Sequence, residues 1–429
     1  MSEPHLAILG AGPIGLEAAL AAVDAGLPFT LYEAAPHPAA HVADWGHVRL
    51  FTPWAMSVSP RLRRHLGGAG IPVPDDAARC PTGRQLVEQV LAPAAALPAV
   101  APHLRLGCRV LAVGRQGLLK HQEIASAERA RRPFRLLLED PGGQRVELAA
   151  RVLDCTGSWG HPNALGDGGI PAPGEEALGE RIVRRLPDLA AEELHWAGRT
   201  ILLAGAGHSA QTAARDLAAL ARRHPATEVM WALRQEPPAL APMADDPLAE
   251  RAALTAAAAR LAAGEGPLAV RAGVAVESLA AAGARVAVTL RHRSGATDTV
   301  TVDRILALTG SVGDSALYRQ LQVHECYATC GPMKLAAALL GAAGGGDCLQ
   351  QTSHGVDALV NPEPGFFLLG AKSYGRNATF LLRVGWQQVD EVFGLLDRQR
   401  GGDPTTLAPP AAPAPRRSAG RRWRPATGR

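Results

Sequence analysis

No stretch of about 18 apolar residues runs without a charge or a glycine turn, which excludes a membrane-spanning helix. Cysteine is sparse. The six residues at 80, 108, 155, 326, 330 and 348 are scattered, most in apolar surroundings, which argues against a secreted disulfide framework and for reduced thiols in a cytoplasmic protein. No basic n-region precedes the first apolar strand, so no secretory signal is expected. Aromatic residues make up only 4% of the chain. No Ser-His-acid triad or paired-carboxylate site stands out. The spacing Cys326-x3-Cys330 fits neither a redox CxxC pair nor a zinc knuckle, so no metal is expected, and these residues read as structural thiols with a redox pair as the alternative.

The chain itself is long. Its 429 residues exceed what one hydrophobic core usually supports, so two or more domains are expected. The net charge of +4 comes from the end of the chain, where residues 401–429 carry six arginines against Asp403 and leave the rest at −1. That Pro-, Ala- and Arg-rich tail cannot bury enough apolar surface to order itself and reads as a disordered extension. Nothing in the rest of the chain points to nucleic-acid recognition. An oligomer is compatible with the sequence.

Two stretches share one plan. "HLAILGAGPIGLEAALAAVDAG" (residues 5–26) and "RTILLAGAGHSAQTAARDL" (residues 199–217) each read as a buried strand, a glycine turn and a helix. In the first, Gly10 makes the turn, Gly12 lets the backbone approach a pyrophosphate, and Gly15 lets helix and sheet pack closely. The free N–H groups and dipole of the helix start attract phosphate. A second strand ends in Glu33, placed to take the hydroxyls of an unphosphorylated ribose such as that of FAD or NAD. The second turn has Gly205 and Gly207, with Ala210 in the third place. Its next strand ends in Arg234, which suits a ribose 2′-phosphate and so favours NADPH over NADH. Two dinucleotides in one chain form an electron circuit in which a nicotinamide delivers hydride to a flavin.

Each turn is followed by three alternating apolar/polar segments and then a strand closed by Thr-Gly-Ser, at 156–158 and 309–311. The expected fold is α/β: two nested Rossmann-like dinucleotide-binding domains, each with a three-stranded β-meander. Residues 1–174 and 301–400 would form the FAD-binding domain and 175–300 an inserted NAD(P)H-binding domain. The final helix is expected over roughly 378–396, with Phe380, Leu381, Val384, Val389, Val392 and Phe393 as its buried stripe. The loop 41–60 reads as apolar core or as a wall of the flavin pocket built from Trp45, Arg49, Phe51, Thr52 and Trp54. The turn "KSYGRN", with Lys372, Tyr374 and Asn377, has the polar density of a ligand contact. His354 is a further candidate on the substrate side.

The paired turns, "DCTGSWGHPN" and "WAGRTILLAGAGHSA" together resemble the class B flavin-dependent monooxygenases and the wider two-dinucleotide flavoproteins that include thioredoxin reductase. In the monooxygenase pattern aromatic-x-G-K/R leading to G-x-G-x-S-A/G, this chain has Trp196, Gly198, Arg199, Gly205, Gly207, Ser209 and Ala210. The resemblance implies FAD held by Gly10, Gly12, Gly15 and Glu33 with Thr156 and Gly157 near it. It implies NADPH held by Gly205, Gly207, Ser209 and Arg234, and "LLGAKSYGR", with Gly370, Lys372 and Tyr374, passing the flavin. Three family features have no counterpart: the FxGxxxHxxx[WYF/P] fingerprint before the second turn, the Gly-Asp pair of disulfide reductases, and CxxC. The implied activity is an FAD-dependent, NADPH-using monooxygenase that oxygenates a small molecule with O₂ through a flavin hydroperoxide. The alternatives are an NADPH-dependent reductase of a disulfide, quinone or metal(loid) species, and a redox-sensing protein with regulatory nucleotides. Asn377 and His354 are the candidates for catalysis.

Overall fold

The computed structural model describes residues 5–238, 240, 246–342 and 352–400. The Arg-rich tail expected to be disordered and Cys348 lie outside the described residues. Sixteen strands form four sheets among the described residues. Strands β1 (Leu6–Leu9), β2 (Phe29–Tyr32) and β3 (Leu104–Arg105) precede a first meander of β4 (Arg109–Arg115), β5 (Phe134–Asp140) and β6 (Gly143–Ala149). Next come β7 (Arg151–Asp154), β8 (Ile182–Val183), β9 (Thr200–Ala204), β10 (Glu228–Leu233) and β11 (Leu268–Ala272). A second meander of β12 (Val274–Ala282), β13 (Arg285–His292) and β14 (Thr297–Val302) leads to β15 (Arg304–Ala307), and β16 (Phe366–Leu368) closes the series.

The first parallel sheet has the order β16-β7-β1-β2-β3 and the second β11-β10-β9-β15-β8. Both meanders are antiparallel. The fold is therefore two nested Rossmann-like α/β domains, each with its three-stranded meander. The central strands are apolar apart from Thr200 at the start of β9, as a sheet covered on both faces requires; Leu6–Leu9 and Ile201–Ala204 are all buried.

The boundaries expected at 174 and 301 need moving. Strand β15 lies past 301, yet it pairs with β9 and β8, because Ile305 and Leu306 complete the second domain's apolar core. Leu165 and Ala172 likewise pack against the second meander. We infer that the chain crosses between domains at its two Thr-Gly-Ser corners. There Asn163 N donates to the Gly310 carbonyl at 2.9 Å, and Thr309 Oγ1 donates to the Asn163 carbonyl at 2.8 Å.

The final helix begins at Leu382 rather than Ala378 and runs to Arg400. Asn377 explains the delay: its Oδ1 accepts from Thr379 N at 3.0 Å and from Thr379 Oγ1 at 2.7 Å, a local turn that competes with the helix. Val384, Val389, Val392 and Phe393 form the buried stripe, while Phe380 and Leu381 pack against it from the preceding loop. One ionic cluster in the core had no signal in the sequence. Glu363 accepts from Arg115 Nε at 2.6 Å and from Arg129 Nη2 at 2.7 Å, with all three side chains fully buried. It ties the first meander to the segment that returns into β16.

Candidate functional site

The first glycine turn is built by exclusion. Gly10 has φ +91°, and a Cβ there would lie 3.0 Å from the Cys155 carbonyl oxygen at the end of β7. A Cβ on Gly15 would collide with the Gly10 carbonyl. Around Gly12, by contrast, no atom lies within 4 Å of where a Cβ would be. That open flank sits at the start of the first dinucleotide helix (Pro13–Asp24), whose N-terminus has no side-chain cap. Glu33 spans the turn, its Oε2 accepting from Ala11 N at 2.8 Å and its Oε1 from Ala35 N at 2.9 Å.

The second turn repeats the first. Gly205 has φ +126°, and a Cβ there would collide with the carbonyl of Leu308, which precedes the second Thr-Gly-Ser as Cys155 precedes the first. Gly207 is open on its flank and starts the second dinucleotide helix (His208–Arg223), again uncapped. Ala210 is fully buried and fills the third glycine's place. Two supports were missed from sequence: Trp231 Nε1 donates to the Gly205 carbonyl at 2.9 Å, and Gln211 Nε2 to the Ala206 carbonyl at 3.0 Å. Arg234 is exposed just past β10, with no acidic partner among the described residues.

The first residues of both helices face one cavity of about 600 Å³, while the turn glycines themselves do not line it. Pro13 reaches it from the first helix, and His208, Ser209 and Thr212 from the second. Trp45, Arg49, Phe51 and Thr52 line it from the loop expected to wall a flavin pocket, whereas Trp54 is buried in the core. Trp159, between the domains, and Phe380 to Arg383, which lead into the first turn of the final helix, add further walls. Phe51 meets His208 edge to face, with ring centroids 5.2 Å apart. Burial holds the His208 imidazole below its ordinary pKa, and Arg251 adds to the effect. Arg251 is itself held by Asp246, Nε to Oδ2 and Nη2 to Oδ1 both at 2.7 Å.

The segment after β16 turns its polar groups inward. Lys372, 3% exposed, donates from Nζ to Asp154 Oδ2 at 2.6 Å and to Thr156 Oγ1 at 3.1 Å. Thr156 Oγ1 also donates to Asp154 Oδ1 at 2.7 Å. Thr156 and Lys372 are therefore engaged with each other and with Asp154, a buried acid that its apolar strand gave no reason to single out. Gly370 packs on Ile14 of the first helix, and its N–H donates to Gln388 Oε1 at 2.8 Å. Tyr374 is 1% exposed, yet its hydroxyl has no hydrogen-bond partner among the described residues, and burial pushes its pKa up to about 12.

Neither Asn377 nor His354 lines the cavity, and His354 is exposed. Burial pushes the Cys155 thiol far above its ordinary value, which makes it inert. Cys326 is buried in a turn closed by Cys330 N donating to the Cys326 carbonyl at 2.8 Å. Among the described residues no cluster of His, Cys, Asp and Glu could hold a metal, and no helix is long and apolar enough to cross a membrane.

The residues at the first turn fit a dinucleotide phosphate: an open flank at Gly12, an uncapped helix start and a strand-end carboxylate. Solved structures share the fold. Bacillithiol disulfide reductase from Bacillus cereus superimposes with a TM-score of 0.62 at 16% identity, over 92% of this chain and 99% of its own. Ornithine N-hydroxylase from Kutzneria gives 0.63 at 15% identity, over 92% and 99%. Flavin-containing monooxygenase from Stenotrophomonas maltophilia gives 0.56 at 17%, over 93% and 100%. The chain has the fold of the two-dinucleotide flavoproteins. No family profile matches its sequence, and no curated protein does.

Proposed function

We propose that this flavoprotein fold serves an FAD-containing, NADPH-using monooxygenase that acts on a small molecule. One observation carries the reading: the starts of both dinucleotide helices, Pro13 and His208–Ser209, face a single cavity of about 600 Å³. Two dinucleotide helices that start at one space support hydride transfer between two bound nucleotides. FAD would be held by Gly10, Gly12, Gly15 and Glu33, with Gly157, Gly370 and Tyr374 beside it. NADPH would be held by Gly205, Gly207, Ser209 and Arg234. Bound FAD supplies the chemistry that protein side chains lack, accepting a hydride from NADPH and passing the electrons to O₂. Overall, NADPH, a proton, O₂ and substrate give NADP⁺, water and a product carrying one added oxygen atom.

The chain's own residues do the rest. The uncapped N–H groups after Gly12 and Gly207 bind phosphate. Trp45, Phe51, Trp159 and Phe380 give the cavity apolar walls that exclude water from the reaction. The Phe51–His208 contact closes the space between the flavin-side loop and the nicotinamide-side turn. The ornithine N-hydroxylase of the same fold is described with reduced FAD, NADP⁺ and L-ornithine, which supports a shared space for both nucleotides and a substrate.

A reductase of a disulfide would need a thiol relay at the cavity, and no cysteine side chain lines it among the described residues. The test is the fate of O₂ after the FAD-loaded, NADPH-reduced protein is mixed with it. Slow reoxidation with little free peroxide is expected while NADP⁺ stays bound. Immediate release of one peroxide per NADPH would overturn the oxygenase reading, and a purified chain that binds no FAD would overturn the flavoprotein reading as a whole.

A further inference from the structure

Past the end of β10 the second domain places another guanidinium, one that no strand-end motif points to. β10 and β11 run parallel with Leu233 opposite Ala272. Arg234 and Gly273 therefore leave the sheet side by side at its carboxyl edge, where open α/β sheets bind their ligands. Gly273, with φ +68°, turns the chain into the second meander. A Cβ there would lie 2.7 Å from Glu236 Oε2 and 3.4 Å from Arg293 Cδ, so both side chains gather over this glycine.

Arg293 comes from the turn between β13 and β14. The register of the meander, with Val274 opposite His292, brings that turn back to the sheet edge. Arg293 N donates to the Gly273 carbonyl at 3.1 Å. Its Nη1 donates to the Glu236 carbonyl at 3.3 Å, two residues beyond Arg234. Both guanidiniums are exposed, and neither has an acidic partner within salt-bridge range among the described residues.

We propose that Arg293 acts with Arg234 as a specificity-determining residue for the 2′-phosphate of NADPH. The inference rests on the assignment of the second turn to NADPH. A phosphate at the ribose 2′ position would lie between one guanidinium from the strand end and one from the meander turn. Two cations have a reason to be here, because the Glu236 carboxylate repels a phosphate and a single exposed arginine is strongly screened. The second strand of the FAD-side domain ends in an acid instead. The arginine pair thus separates the two nucleotides by charge.

The FAD-loaded full-length protein is titrated with 2′,5′-ADP and with 5′-AMP, which differ only in the 2′-phosphate. Arg293→Gln should weaken 2′,5′-ADP about tenfold, the scale of one charge-assisted hydrogen bond, while leaving 5′-AMP within about twofold. Arg293→Lys should recover part of the loss, and Glu236→Gln should tighten 2′,5′-ADP by relieving the repulsion. The inference falls if Arg293→Gln leaves 2′,5′-ADP binding unchanged while Arg234→Gln weakens it. Should the unmodified protein bind both probes equally, the NADPH assignment falls first and takes the inference with it.

Discussion

The ammonium of Lys372 donates to the carboxylate of Asp154 at 2.6 Å, and both side chains are buried. This pair joins the end of β7 to the turn after β16 across 218 residues of sequence. Removing one member strands the other charge in the interior. Lys372→Met should destabilise the FAD-loaded protein by about 3–5 kcal/mol. Combining it with Asp154→Leu should return much of that loss, because neither charge is then left alone. Denaturant unfolding of the two variants measures the difference; equal stability of Lys372→Met and the unmodified protein would show the pair to be dispensable.

The glycines of the first turn should separate by role. Gly15→Ala drives a methyl into the Gly10 carbonyl, so little folded, FAD-bearing protein is expected. Gly12→Ala meets no protein atom within 4 Å. It should change stability by less than about 1 kcal/mol yet lower FAD retention, because its methyl occupies the phosphate's line of approach. Flavin content per folded chain distinguishes the two. Full FAD retention in Gly12→Ala would remove the pyrophosphate assignment.

Among the described residues, Glu363 is the one acid paired with the buried guanidiniums of Arg115 and Arg129. Glu363→Gln keeps the shape and removes the charge, and should cost about 3–5 kcal/mol. Since the cluster lies outside the cavity, the loss should appear as a lower unfolding midpoint with the nucleotide-binding constants unmoved. A changed NADPH constant with normal stability would contradict this.

His208 gives the pH dependence its sign. Burial, then Arg251, holds its folded-state pKa below the ordinary 6.5. As pH falls through that value, the unfolded chain takes up its proton first, so the native state loses stability between 6.5 and the lower folded value. Above 6.5 the contribution is fully present. His208→Asn should make the fall in stability on acidification shallower, as measured by denaturant unfolding above and below pH 6.5. An identical slope would place the imidazole's titration outside this linkage.

Much of this architecture was legible because its signals are local. Strand, glycine turn and helix follow one another within about 20 residues, and the alternation of apolar and polar residues in the meanders needs only neighbours to be read. Even the exchange of Glu33 for Arg234 is visible along the chain. What stayed hidden involves partners far apart. Nothing beside Asp154 or Glu363 announces Lys372 or Arg129, because a buried charge reads as an ordinary polar residue until the fold brings its counterion. The start of the final helix was misplaced for a different reason: apolar periodicity ran through Phe380 and Leu381, and it carries no information about the Asn377–Thr379 turn that holds the backbone open. The cavity itself was foreseen only as one side, the loop bearing Trp45 and Phe51, since its opposite wall is assembled from both domains.

At the two Thr-Gly-Ser corners, Ser311 Oγ donates to Ser158 Oγ at 3.3 Å and Pro162 bridges to Ser311, so the chain enters and leaves the second domain at nearly one point. A module attached this way can be removed or replaced without moving the scaffold that carries it, because the cut ends already lie within reach of a short turn.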